Sequence, residues 1–178
     1  MQKITYILIA LSLMVVSCNK DTSHKTGLAY SATISTANNT LVKQELTYRE
    51  KVIAYAKKYL GIPYKYATAS PAVGFDCSGF VNYVYKNFGI NLPRSSSGFK
   101  NLGAAKKASD FKVGDILVFY GYKDSASVGH LGIVCEANGM KSRFIHASSG
   151  KEMAVTISDL GSAMYTRRFY KCIDPFLL

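Results

Sequence analysis

Residues 73–89 read VGFDCSGFVNYVYKNFG. Phe80, Val84 and Phe88 stand four apart, and Val81 and Tyr85 widen the same stripe. That spacing predicts a helix from Cys77 onward with one side turned to a core. Gly89 fits the residue just past the helix end, and Asp76 fits a cap at its start. The segment therefore sets Cys77 at a helix N-terminus, between Asp76 and Ser78. Four readings of that cysteine are open: a buried small apolar group, a disulfide partner, a metal ligand or a nucleophile.

The local electrostatics favour the last. A helix start carries partial positive charge and unpaired N–H groups. With a histidine beside it, such a place lowers a thiol pKa to roughly 3.5–7.5. The same N–H groups can hold an oxyanion. Gly79 leaves room for backbone to approach a substrate.

Upstream, TYREKVIAYAKKYLG (47–61) predicts another helix. Thr47 and Glu50 have capping-box spacing, Val52, Ala56, Tyr59 and Leu60 recur at helical intervals, and Gly61 then Pro63 stop it. IPYKYATASPAVG (62–74) and INLPRSSSGFKNLG (90–103) read as loops. Downstream the period changes. GDILVFYGY (114–122) and GHLGIVCEA (129–137) are apolar runs, and Asn138-Gly139 is a hairpin signal leading into RFIHASS (143–149). MAVTI and YTRRFYKCI follow as strands, with SDLGSAM between them as a helical turn. Helices first and strands after predict an α+β domain, N-terminal helices packed on a C-terminal antiparallel sheet.

A nucleophile needs a base. Of three histidines, His24 falls in a polar stretch near the N-terminus, while His130 and His146 fall on the two strands of one predicted hairpin. There His130 is placed to take the thiol proton and His146 to orient its imidazole. Each alone reads as a core or rim histidine; the pair, downstream of Cys77, favours chemistry.

GFDCSGFVNYVYKNFGINLPRSS, GDILVF, GHLGIV and FIHASS, in that order, resemble the NlpC-type cysteine peptidases of bacterial cell walls, a papain-like family. The likeness covers about residues 48–175. It implies a papain-like fold and a catalytic triad of Cys77, His130 and His146. It implies substrate-binding roles for Tyr64, for Asp76 and Ser78 beside the thiol, and for Arg94 and Ser96 of the LPR-x-S block. Asp76 would meet a free amine or the peptide backbone. The substrate class implied is the peptidoglycan stem peptide, cut between D-γ-glutamyl and diaminopimelate or lysine. An N-acetylmuramoyl amidase or an acyl transferase uses the same Cys-His chemistry, and a non-catalytic wall-binding lipoprotein is the non-enzyme alternative. Two places depart from the family's habit: no Gly-Gly pair follows Tyr64, and Phe99 stands where a Gln is common.

The first residues read as an export signal. Lys3 precedes the apolar run ITYILIALSLMVV, too short to span a bilayer, and VVSC (15–18) resembles a lipobox. The expected organisation is a signal peptide over 1–17, a lipid on Cys18, a flexible tether over 18–46 and the catalytic domain over 47–178. Asn19, not Asp, follows Cys18, which favours an outer-membrane or periplasmic-face location over the inner membrane. The net charge of +11 falls by one when Lys3 is removed. An exported cation meets anionic lipid and wall polymer, so peptidoglycan or muropeptides, not nucleic acid, are the expected partners. A monomer is expected, and no cofactor or metal, since no C-x-x-C or H-x-x-x-H spacing appears. Cys135 and Cys172 lie in separate apolar strands, as buried thiols or as a disulfide. Lys106 and Lys107 read as a solvated face, and of Arg167 and Arg168 one should point to solvent.

Overall fold

The computed structural model describes residues 48–178 apart from positions 123 and 125. The expected signal peptide, Cys18, tether and Thr47 cap lie outside them. Helix α1 spans 48–57 and buries Val52, Ile53 and Ala56. Helix α2, Cys77–Lys86, starts at the cysteine, as the periodicity predicts. Its Phe80, Val81, Val84 and Tyr85 are fully buried, each worth roughly 1.5–3 kcal/mol of transfer from water. Gly89 takes the left-handed conformation (φ +76°) that favours glycine after a helix.

Among the described residues, the main sheet is antiparallel and has five strands. Strands β3 (Ile116–Tyr120), β4 (Val128–Glu136), β5 (Arg143–Ala147), β6 (Val155–Asp159) and β7 (Phe169–Ile173) lie in the order β6-β5-β4-β3-β7. One face, with Val118, Leu131, Ile133 and Ile145, packs on α1 and α2. The other, with Leu117, Phe119, Val134 and Phe144, is covered by Leu160 and by Tyr165 from the short helix α3 (Ala163–Arg168). Coverage on both faces is why ILVF runs apolar without alternation. The fold is α+β and papain-like, as expected.

Differences are local. The segment 62–74 contains a two-stranded ribbon, β1 (Ala69–Ser70) with β2 (Gly74–Phe75), where the sequence reads as loop. YTRRFYKCI is a strand only from Phe169, because Ala163–Arg168 is helical and seats Tyr165 on the sheet. Arg167 is exposed and Arg168 half-buried. Lys106 is not solvated: it pairs with Asp115 at 2.5 Å and Asp174 at 3.5 Å. Cys135 belongs to the helix-facing core and Cys172 to the opposite one, so both are free thiols. Phe99 is fully buried, which explains an apolar side chain there.

Two irregularities shape the sheet where β4 begins. Phe119 pairs with His130 but Tyr120 with Val128, leaving Gly129 as the extra residue of a bulge. Bulges of this kind re-aim a side chain. Here the bulge brings Val128 to the helix-facing core beside Leu131, while ordinary alternation with Leu131 keeps His130 on the Tyr165 side, its ring 6.2 Å from that of Tyr165 and 5.9 Å from that of Phe119. At Gly132 a Cβ would overlap the Phe144 ring and crowd His146. Glycine there lets Phe144 lie against His146, with ring centroids 4.7 Å apart.

Candidate active site

Asp76 caps α2, accepting from the Gly79 N–H at 2.6 Å. Its carboxylate also accepts from Ser78 Oγ at 3.1 Å and from both Arg94 terminal nitrogens, at 3.0 and 2.7 Å. The two-pronged ion pair fixes the LPR-x-S block against the helix start. The expected space beside Gly79 is filled, since a Cβ there would overlap the Thr68 carbonyl oxygen. It admits the β1–β2 ribbon rather than a substrate.

Cys77 is 8% exposed. Its Sγ lies 3.9 Å from the Gly129 carbonyl oxygen, the residue before His130. Burial, then the Asp76 charge, pushes the thiol pKa up; N–H groups of Leu131, Ser78 and Cys77 itself pull it down without prevailing. The expectation of a lowered pKa is thus not met. The dipole is present, but desolvation of the thiolate outweighs it.

His130 and His146 are brought together. Nε2 of His130 and Nδ1 of His146 are 2.9 Å apart, with rings at 89°. His146 Nε2 faces Ser158 Oγ at 2.9 Å and the Tyr165 hydroxyl at 3.4 Å. Burial, His146 and Arg168 hold His130 well below the ordinary histidine range. Burial and then Arg168 lower His146 to about 3. Both imidazoles are therefore neutral at neutral pH, and the single proton on each ring is set by its partners.

Two cavities share Gly129. One, of about 390 Å³, is lined by Tyr64, Asp76, Cys77, Ser78, Arg94 and Ser96. The other, of about 750 Å³, includes His130, Ser148, Glu152, Tyr165 and Arg168. So the expected substrate-binding residues gather round the thiol, while His130 opens to the larger side and His146 lies behind it, fully buried. Tyr64 is half-buried; desolvation, then the charges of Cys77 and Asp76, raise its pKa, keeping it a hydroxyl donor. Among the described residues no group of His, Cys, Asp or Glu could hold a metal ion. Nor is any helix among them long and apolar enough to cross a membrane.

Ser158, Tyr165 and Arg168 escape a reading that stops at the histidines. The signal for Ser158 lies in the β5–β6 pairing. His146 faces Thr156 and Phe144 faces Ser158, which sets Ser158 on the diagonal from His146.

The lowered His146 pKa predicts an acid-labile fold. Its value is about 3 folded, against about 6.5 for an ordinary histidine. Between those values the unfolded chain binds the extra proton, so stability is complete above pH 6.5 and falls as pH drops toward 3. His146→Asn should flatten this segment of the Tm-against-pH curve. A variant curve as steep as wild type would remove His146 as the cause.

A sequence model of the NlpC/P60 family matches residues 61–174. The chain is 35% identical over 106 residues to gamma-DL-glutamyl hydrolase of Bacillus subtilis, covering 59% of this chain and 24% of that protein. It thus spans about a quarter of that relative's length. The solved peptidoglycan hydrolase RipB of Mycobacterium tuberculosis is 27% identical with a TM-score of 0.56, over 71% of this chain and 63% of that one. RipD of the same organism, described as a non-catalytic NlpC/p60 domain protein adapted to peptidoglycan binding, also has a TM-score of 0.56, at 18% identity over 71% and 96%. The last likeness concerns fold alone, so catalysis has to be argued from side chains.

Proposed function

The chain belongs to the NlpC/P60 family, and from that premise we propose that it is a cysteine endopeptidase. It hydrolyses peptidoglycan stem peptides at the D-γ-glutamyl–diaminopimelate (or lysine) bond. The observation that carries the reading is the 2.9 Å contact between His130 Nε2 and His146 Nδ1, one residue along from the carbonyl that the Cys77 sulfur touches. The γ-DL-glutamyl hydrolase and RipB supply the bond class and the polymer by likeness.

The chemistry follows from the proton positions. With Nε2 of His130 turned to His146, Nδ1 is left to accept the thiol proton. That requires Nε2–H to donate to His146 Nδ1, and His146 Nε2–H to donate to Ser158 Oγ. The resting pair is neutral, so proton transfer accompanies attack. Cys77 sulfur bonds to the γ-carbonyl carbon while its proton moves to His130. The oxyanion is held by the Cys77 N–H and the Tyr64 hydroxyl. The C–N bond then breaks, and His130 returns the proton to the leaving amine. Water, losing a proton to His130, opens the thioester and regenerates the thiol. His146 orients the ring and stabilises the imidazolium without ionising.

Asp76 holds the site together through the helix cap and Arg94. A free substrate amine reaches it only by sharing its oxygens with Arg94. Ser78 and Ser96 line the acyl side. Lipidation at Cys18, export and a place in the cell envelope complete the proposal.

Digestion of purified stem peptides, with products identified by mass, tests it. A new diaminopimelyl or lysyl amine, absent with Cys77→Ala, is expected. Released lactyl-muramyl ends would indicate an amidase, and adducts with added amines an acyl transferase. Wall binding by both proteins with no product from either would leave the non-catalytic reading.

A further inference from the structure

The guanidinium of Arg168 is half-buried at the edge of the larger cavity. Arg168 ends α3, its Nε donates to the Tyr120 carbonyl at 3.0 Å, and its Cζ lies 5.6 Å from the Tyr122 ring centroid. Among the described residues no carboxylate pairs with it. Of the other buried or partly buried cations among the described residues, Arg49 has Asp115 and Asp174 and Lys106 has Asp115, while Lys171 donates to the Leu102 and Gly103 carbonyls and faces no cavity that contains His130. Desolvating a cation without an acid is unfavourable, and this one borders the cavity that also contains His130.

The two cavities divide the substrate at Gly129. The acyl group attacked by sulfur occupies the side of Arg94 and Asp76. The leaving amine must sit where His130 can return its proton, so the residue bearing that amine extends into the larger cavity. We propose that Arg168 is a specificity residue which takes, through its two free terminal nitrogens, a carboxylate carried by the leaving amino acid. The inference rests on the endopeptidase reading above. Geometry favours a carboxylate, since a planar fork with its Nε already anchored presents two parallel N–H donors. Glu152, exposed and joined to Ser148 Oγ at 3.3 Å, borders the same cavity and suits an ammonium. A side chain with both charges, as diaminopimelate has at its far end, satisfies both; the lysine side chain satisfies only Glu152. The carboxylate has two sources, the diaminopimelate side chain or a free C-terminus of the leaving residue.

The test compares matched peptides of L-Ala–γ-D-Glu joined to diaminopimelate, to side-chain-amidated diaminopimelate and to lysine, each with a free or amidated C-terminus. Wild type should favour the carboxylate over the amide by about 10- to 100-fold in kcat/KM, the worth of one charged hydrogen-bonding partner. The pair of termini and the pair of side chains tell which carboxylate is read. In Arg168→Gln the ratio should approach one, and Arg168→Lys should retain part of it. Loss of fold lowers all peptides together and leaves the ratio intact. An unchanged ratio in Arg168→Gln, or an indifferent wild type, overturns the inference. If wild type cuts no peptide, the endopeptidase reading has failed. The inference is then judged by dissociation constants of the same peptides with Cys77→Ala, with and without Arg168→Gln; equal affinity for carboxylate and amide overturns it.

Discussion

Cys77→Ala should reduce γ-glutamyl hydrolysis to background, a loss of about 10⁵-fold or more in kcat, because no other group in the site forms the acyl bond. His130→Ala should cost nearly as much, since a neutral thiol without an acceptor has no route for its proton. The double variant should be no worse than Cys77→Ala, because the two residues act as one unit. His146→Ala should cost less, on the order of 10²–10⁴-fold, by freeing the His130 ring to adopt the wrong tautomer. Single-turnover kinetics on one purified stem peptide measures all four. The resting thiol gives a second readout. Because burial raises the Cys77 pKa, alkylation by iodoacetamide should be slow at pH 6–7 and accelerate above pH 9. Fast alkylation at pH 6 would instead mean a preformed thiolate–imidazolium pair.

That contrast marks where a sequence stops being informative. The helix start at Cys77 was legible because a fourfold apolar spacing and Gly89 specify it locally. The hairpin was legible because Asn138-Gly139 lies between apolar runs, and it brought His130 near His146. The sign of the thiol shift was not. It depends on how far the β4 bulge, Thr68 and the Asp76–Arg94 pair exclude water, which only the assembled domain fixes. The residues of α3 from Tyr165 to Arg168 read as strand because they run without a turn signal into the aromatic, apolar FYKCI. The deciding contact, Tyr165 against Phe144, joins residues far apart in the chain. Two-residue strands such as β1 and β2 carry too little pattern to read.

Arg49 had a signal that charge concealed. It precedes Val52 by three and Ala56 by seven, so helical periodicity puts it on the core face of α1. It is 1% exposed, donates to Asp115 at 2.9 Å, Asp174 at 2.5 Å and the Val113 carbonyl at 3.1 Å, and lies 4.3 Å over the Phe176 ring. Burial disfavours its charge, yet Asp174 and Asp115 raise its pKa overall. The pair ties the first helix to the turn before β3 and to the segment after β7. Arg49→Ala leaves Asp115, itself fully buried, with Lys106 as its remaining cation. Breaking one side of a buried pair costs about 3–5 kcal/mol, and at about 2–4 °C per kcal/mol for a domain of this size Tm should fall by roughly 6–20 °C. Because Arg49 touches neither cavity beside Cys77, kcat per folded molecule should hold. Arg49→Met with Asp115→Leu, which removes both charges, should recover much of the loss. Urea titration of the two variants decides the point: a double variant less stable than Arg49→Ala would mean that the Asp115 hydrogen bonds to Lys106 and to the Lys112 N–H matter more than its charge pairing with Arg49.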